Sequence, residues 1–271
     1  MTLRKIKSGT GHRYTLDGVP CTGVTTLIKS GLPSPALMYW SARAVAEFVA
    51  DANLDDIQAW QRLGRDGLVN ALKNVPWSQR DAAAVRGTEV HALAEAAIGG
   101  AAVEVPDHLA AHVDSCMRFF DEWQPKPVLL ESSVASRRWQ YAGTLDLVAD
   151  LPNGQRALLD YKTGKGVYGE VALQLAAYRN AEFFLDADGA EQPMSSLDIT
   201  HTYAVHLRAD GYDVLPIETG STVFTTFLHC AYVARQARDD NTTGIKTWVG
   251  SPIDPDTEQL ASLLERHGVR P

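Results

Sequence analysis

The stretch YAGTLDLVADLPNGQRALLDYKTG, from Tyr141 to Gly164, constrains this chain more than any other. It reads as two strands joined by a turn, and the turn decides which side chains share a face. Asn153-Gly154 alone suggests a two-residue type I′ hairpin. That register puts Asp146 opposite Tyr161 and sends Asp146 and Asp160 to opposite faces. The rival is a three-residue loop, with Pro152 and Asn153 in a type I turn and Gly154 in the left-handed bulge position. Leu151 then pairs with Gln155, Asp146 faces Asp160, and Lys162 lies on the same face opposite Thr144. Leu145, Leu147, Ala149, Ala157, Leu159 and Tyr161 form the other face. Only this register separates an apolar face from one with a compact polar end, and a one-residue slip scrambles both. It is the register expected here.

Two carboxylates placed directly opposite each other repel. At roughly 5 Å and an effective dielectric near 20 the repulsion is about 3 kcal/mol. A cation between them removes it, and aspartate oxygens suit Mg²⁺ or Mn²⁺. A lysine beside them can orient a water or stabilise charge developing on a phosphate. The alternative is a hairpin with a Lys-Asp salt bridge and no chemistry, and this stretch alone leaves both open.

A chain of 271 residues, 45% of them hydrophobic, suits one large domain or a core with appendages. No run approaches the length of a membrane span, and the opening MTLRKIKSGTGHRY lacks an apolar signal region. Cys21, Cys116 and Cys230 are scattered and odd in number, so neither a disulfide framework nor a four-cysteine metal cluster is expected, and a reducing cytoplasm is the natural setting. The net charge of −8 argues against indiscriminate nucleic-acid binding. Basic residues are nevertheless grouped, as Arg4-Lys5-Lys7, Arg137-Arg138 and Lys162-Lys165, and each group reads as either a solvated face or a phosphate track.

Along the chain, Asp17-Gly18 marks a hairpin turn, and Ser34 with Pro35 opens an amphipathic helix. A polar, irregular stretch reaches Pro76, and an alanine-rich helix is expected from Ser78 to Ile98. Asp107 caps another helix. Three extended segments follow, then a helix from about Gly169 to Leu185, a hairpin turning at Asp210-Gly211, a helix over roughly Ser221 to Arg238, and a short one near Thr257 to Arg266. The expected fold class is α/β, or α+β: a mixed sheet flanked by helices. Residues 1–76 are expected to form an N-terminal hairpin and helical appendage, and residues 77–271 the core.

Further features converge on the central hairpin. His91 lies on a helix four residues after Gly87, and a glycine inside a good helix points to close approach of another element or a ligand; the histidine by itself reads as either a ligand or an ordinary hydrogen-bonded surface or core residue. Gln174 and Tyr178 stand one turn apart on one helix. Glu131 interrupts the apolar run PVLLESSV, either as an acid that supports the site or as the exposed side of an edge strand. The order RGT with its histidine, the acid in PVLLE, then GTLD, DYKTG and QLAAY resembles the RecB-type nucleases of the PD-(D/E)XK superfamily. The resemblance covers about Arg86 to Tyr178, and it rests on five short motifs in the right order.

That resemblance implies a restriction-endonuclease-like core and metal-dependent hydrolysis of DNA phosphodiesters. It makes Asp146 and Asp160 the catalytic acids and Lys162 the catalytic lysine. One or two Mg²⁺ or Mn²⁺ ions would be held by His91, Asp146, Asp160 and the backbone carbonyl of Tyr161. Gln174 and Tyr178 would support the lysine and approach the DNA, with Glu131, Arg86 and Lys165 as further supporting or DNA-binding residues. The lack of a fourth cysteine points to a branch without an iron–sulfur cluster, similar to the small exonucleases of bacteriophages. The expected activity is exonuclease action on linear DNA with a free end, in recombination, repair or processing, in the bacterial cytoplasm and alongside recombination partner proteins. The alternatives are a structure- or sequence-specific endonuclease, a catalytically silent DNA-binding subunit, and a hydrolase of small phosphate esters.

Overall fold

The computed structural model describes residues 3–8, 11–98 and 104–237, so the short helix expected near Thr257 to Arg266 lies outside the described residues. The chain begins with β1 (Leu3–Ser8), β2 (Gly11–Leu16) and β3 (Val19–Gly23). Four helices follow: α1 (Val24–Gly31), α2 (Pro35–Ala50), α3 (Leu54–Arg62) and α4 (Gly64–Ile98). Then come α5 (Asp107–Trp123), β4 (Lys126–Ser136), β5 (Tyr141–Asp150), β6 (Arg156–Lys162) and α6 (Glu170–Arg179). The described chain closes with β7 (Phe183–Leu185), β8 (Glu191–Pro193), a 3₁₀ turn at Met194–Leu197, β9 (His201–Arg208), β10 (Gly211–Pro216) and α7 (Ser221–Gln236). This is a mixed α/β fold, with antiparallel and parallel strands flanked by helices. No described helix is long and apolar enough to cross a membrane.

The central hairpin has the three-residue loop. Gly154 sits at φ +82°, Leu151 N–H donates to the Gln155 carbonyl, and Gly154 N–H donates to the Leu151 carbonyl. β5 and β6 pair as Asp150 with Arg156, Ala149 with Ala157 and Leu147 with Leu159. β4 runs antiparallel to β5 along its other edge from Lys126 to Ser136, and β9 runs parallel to β6.

Helices cover both faces. Val24, Leu27 and Ile28 of α1, Leu173 and Leu175 of α6, and Phe227 of α7 pack on Val148, Leu158 and Ala204. On the other face Val90 of α4 and Leu109, Val113, Cys116 and Phe119 of α5 pack on Leu147, Leu159, Tyr161 and Val205. Tyr141 donates to the Ala177 carbonyl, 2.8 Å away, and ties β5 to α6.

One expected face is corrected. Leu147 packs with Leu159 and Tyr161, but Leu145 packs with Val148 and Leu158 on the opposite face. Alternate residues of a regular strand share a face, so β5 inverts between them, at Asp146. β4 inverts at the matching position. Val134 packs with the Leu145 cluster whereas Leu130, four residues earlier, packs with the Leu147 cluster. Between them Glu131 adopts φ +45°. Leu130 still pairs with Leu147 and Ser132 with Leu145. The register therefore survives while both strands turn over together.

Other expectations are revised by tertiary pairing. The helix expected to reach Leu185 stops at Arg179, because Phe183 and Phe184 pair with Ala135 and Val134 as a sheet strand. α4 is 35 residues long and continues through Pro76, so the division drawn there falls inside a helix. Asp107 is the first residue of α5 and Pro106 its cap. Ser34 occupies the cap position of α2 with Pro35 behind it, without a side-chain cap bond. The first hairpin is a three-stranded element that joins the main sheet, where Thr22 and Gly23 of β3 pair with Tyr141 and Ala142 of β5 in parallel. The Asp17-Gly18 turn has φ of +54° and +83°.

Gly31 marks the crossing of α1 and α7. A methyl group there would lie 1.9 Å from the Cys230 carbonyl oxygen. Gly31→Ala should lower stability by about 1–3 kcal/mol, the usual loss on overpacking, measured as a shift in the urea midpoint at unchanged slope. An unmoved midpoint would mean that the two helices do not touch there.

Candidate active site

The site opens where the edge of β5 changes partner. β4 occupies one edge along the whole strand, so β3 and β6 share the other. β3 takes Tyr141 and Ala142, and β6 takes Leu147 to Asp150. Gly143 to Asp146 lie between the two partners. In the alternation of an antiparallel ladder, the next bond beyond the Leu147–Leu159 pair would run from Tyr161 N–H to the Leu145 carbonyl. Instead Tyr161 N–H donates to Asp146 Oδ2 at 2.8 Å. A side chain thus replaces a ladder bond and the strands part. The ladder stops one step short of Asp146 and Asp160, which correct register would place opposite each other. The N–H and carbonyl of one strand residue point to the same edge, so the Tyr161 carbonyl faces this opening too.

Asp160 and Lys162 alternate on β6 and form an ion pair. Asp160 retains 1% of its surface and Asp146 9%, which is rare for carboxylates outside functional or paired settings. α6 supplies the support. Gln174 Nε2 donates to Asp160 Oδ1 at 3.0 Å and to the Tyr178 hydroxyl at 3.3 Å, while Lys162 Nζ donates to Gln174 Oε1 at 3.4 Å. One amide therefore orients an acid, a lysine and a phenol. Tyr178 reaches this position because Gly143 has no side chain. A Cβ there would lie 2.4 Å from the Tyr178 ring. A glycine inside a strand is the signal for such an approach, so Gly143 was open to recognition in the sequence.

The charges reinforce one another. Burial pulls the Lys162 pKa down, but Asp160 and Asp146 outweigh it and the net shift is upward. Lys162 is therefore a cation at neutral pH. Its ion pair contributes stability that is fully present below the unfolded lysine pKa and is lost as pH rises through the higher folded value. Burial pushes the Tyr178 phenol well up, helped by the charge of Asp160, so it remains a neutral hydroxyl.

Of the other expected residues, Glu131 is half-buried in β4 beside Asp146, at the inversion. A non-glycine residue in that conformation carries strain of about 1–3 kcal/mol, a feature that clusters at functional sites. Gly87 of α4 makes the close approach its helical setting suggests, since a Cβ there would lie 3.1 Å from Thr163 Oγ1, next to Lys162. His91 follows one turn later on α4. The side chains of His91 and Arg86 lie outside the described residues. Lys165 is exposed in the loop after β6. Arg137 is structural, bridging Asp17 and Glu191. Among the described residues no group of three or more His, Cys, Asp or Glu side chains is arranged as a metal cage.

Tyr14 was missed. Its hydroxyl hydrogen-bonds Thr144 Oγ1 at 2.9 Å, across 130 residues of sequence. Burial raises its pKa, and the Glu131 carboxylate adds to the shift while the Thr144 bond opposes it. No local signal marks it, because its place depends on β3 joining β5. No protein-family model and no curated protein matches this chain.

The close packing of Gly143 on Tyr178 is testable by a double-mutant cycle. Gly143→Ala should destabilise the protein by about 1–3 kcal/mol, and the same change in a Tyr178→Ala background should cost clearly less. Equal costs in both backgrounds would mean that Tyr178 does not fill the space above Gly143.

Proposed function

We propose that this chain is a metal-dependent deoxyribonuclease of the RecB-type PD-(D/E)XK kind, acting as an exonuclease on linear DNA. The observation that carries the reading is the convergence of Asp146, Asp160, Lys162, Gln174 and Tyr178 at the point where β5 and β6 part. The donor set suits a hard divalent cation. Asp160 is buried and its Oδ2 faces the cationic Lys162 in the site. In this reading Asp146, Asp160, the Tyr161 carbonyl and His91 hold one or two Mg²⁺ or Mn²⁺ ions, which when bound neutralise phosphate charge and acidify a water.

The chain's own groups have defined parts. Lys162, held as a cation, donates to the attacking water and to the oxygen on which charge develops. Gln174 keeps Asp160 and Lys162 in register by bonding both, and Tyr178 locks that amide in turn. Tyr161 N–H fixes the rotamer of Asp146. Three buried free thiols, Cys21, Cys116 and Cys230, are compatible with a reducing compartment, and we place the activity in the cytoplasm of a bacterial cell.

The test is an assay on end-labelled linear DNA with Mg²⁺, Mn²⁺ and chelator compared. Wild-type protein should degrade linear DNA with either ion, spare covalently closed circles, and stop with chelator. Lys162→Ala should cut the rate by two orders of magnitude or more, equivalent to about 3 kcal/mol of transition-state stabilisation. Gln174→Ala and Tyr178→Phe should lose less. Asp160→Asn should lose Mn²⁺ binding in calorimetry. Cleavage by Lys162→Ala at close to the wild-type rate would return the hairpin to a structural salt bridge, and cleavage of closed circles would make the enzyme an endonuclease.

A further inference from the structure

We infer that the N-terminal hairpin, β1 with β2, is a phosphate track that receives a single DNA strand at the edge of the active site. The inference rests on the nuclease reading and extends it to a binding surface outside the acid–lysine cluster.

The argument begins with register. Leu3 pairs with Leu16, Lys5 with Tyr14, and Lys7 with His12. Paired and alternate residues share a face, so these six side chains form one row of three pairs. The first pair is anchored: Leu3 and Leu16 each keep 3% of their surface and pack with Ala135, Ala142 and Phe183 of the core. The second pair holds Tyr14, whose hydroxyl reaches Thr144 on the unpaired edge of β5. The third pair, Lys7 with His12, is exposed toward the hairpin tip. The row therefore leads outward from the site, carrying Lys5 and then Lys7. The two lysines are one two-residue step apart, about 7 Å along a strand, comparable with successive phosphates of an extended single strand.

Charge supports the same conclusion. Residues 3–16 contain Arg4, Lys5, Lys7 and Arg13 and no acid, in a chain whose net charge is −8. Several arginines elsewhere are matched by acids: Arg137 by Asp17 and Glu191, Arg156 by Asp150, Arg208 by Asp210 and Asp213. Arg4, Lys5, Lys7 and Arg13 form no ion pair with a described residue, and all four are exposed. Burial lowers the pKa of His12, and Lys5 and Lys7 lower it further, so both lysines stand within electrostatic reach of the ring that shares their face, while Arg4 and Arg13 lie on the opposite face of the hairpin. Uncompensated like charges on an ordered element are the electrostatic footprint of a polyanion partner.

The experiment measures equilibrium binding of a fluorescein-labelled single-stranded oligonucleotide by anisotropy, in chelator so that nothing is cleaved, across roughly 50–200 mM salt. Wild type should bind with an affinity that falls linearly with log salt. The Lys5→Gln/Lys7→Gln variant should bind about tenfold more weakly at the low-salt end, and its slope should be shallower by about 1.4, from two lost phosphates at about 0.7 each. Lys7→Glu, at an exposed position, should weaken binding further than Lys7→Gln. Lys126→Ala, at the far end of β5 where Lys126 pairs with Asp150, should match wild type. If wild type binds and the hairpin variants share its affinity and slope, the track is overturned, and the nuclease reading is judged by its own cleavage assay. If wild type neither binds the oligonucleotide nor cleaves linear DNA, the nuclease reading falls and the track with it.

Discussion

The bond from Tyr161 N–H to the Asp146 carboxylate is the interaction on which the rest of the arrangement depends. A β-hairpin ordinarily satisfies its backbone groups along the whole ladder, and an unpaired buried N–H is costly. Here a carboxylate takes the place of a carbonyl. The backbone group remains satisfied, the ladder ends, and two buried acids remain on strands that no longer hold each other. The pairing of β4 with β5 survives the change because both strands invert together, at Glu131 and Asp146.

The opening is kept by what flanks it. β3 holds the first residues of β5 and β6 holds the last, so the interval between them is fixed at both ends. α6 covers it with Gln174 and Tyr178, and Gly143 provides the space for the phenol ring. The first hairpin therefore belongs to the same sheet as the site, even though helices α1 to α5 intervene in the chain.

Inside the cluster two large effects oppose each other at Lys162. Burial favours the neutral amine, and the neighbouring acids favour the ammonium ion. The acids prevail. A cation bound by those acids would weaken their hold on the lysine. The amide of Gln174 bonds Asp160 and Lys162 simultaneously and limits how far that competition can displace either.

The sequence by itself determined the hairpin register. A Pro-Asn-Gly turn with period-two apolar residues admits one pairing that separates the faces, and that pairing is present from Asp150–Arg156 to Leu147–Leu159. It also determined the mixed α/β class, the stacking of Gln174 and Tyr178 on one helix, and the close approach at Gly87. These follow from local periodicity and turn chemistry, which act over a few residues. Only the tertiary structure decided that β5 inverts at Asp146 and that Leu145 belongs to the opposite face. It also decided that Phe183–Leu185 is a strand and that Tyr14 stands beside the site. Each of these depends on backbone hydrogen bonds or packing supplied by a distant segment, and local patterns carry no record of a partner 130 residues away.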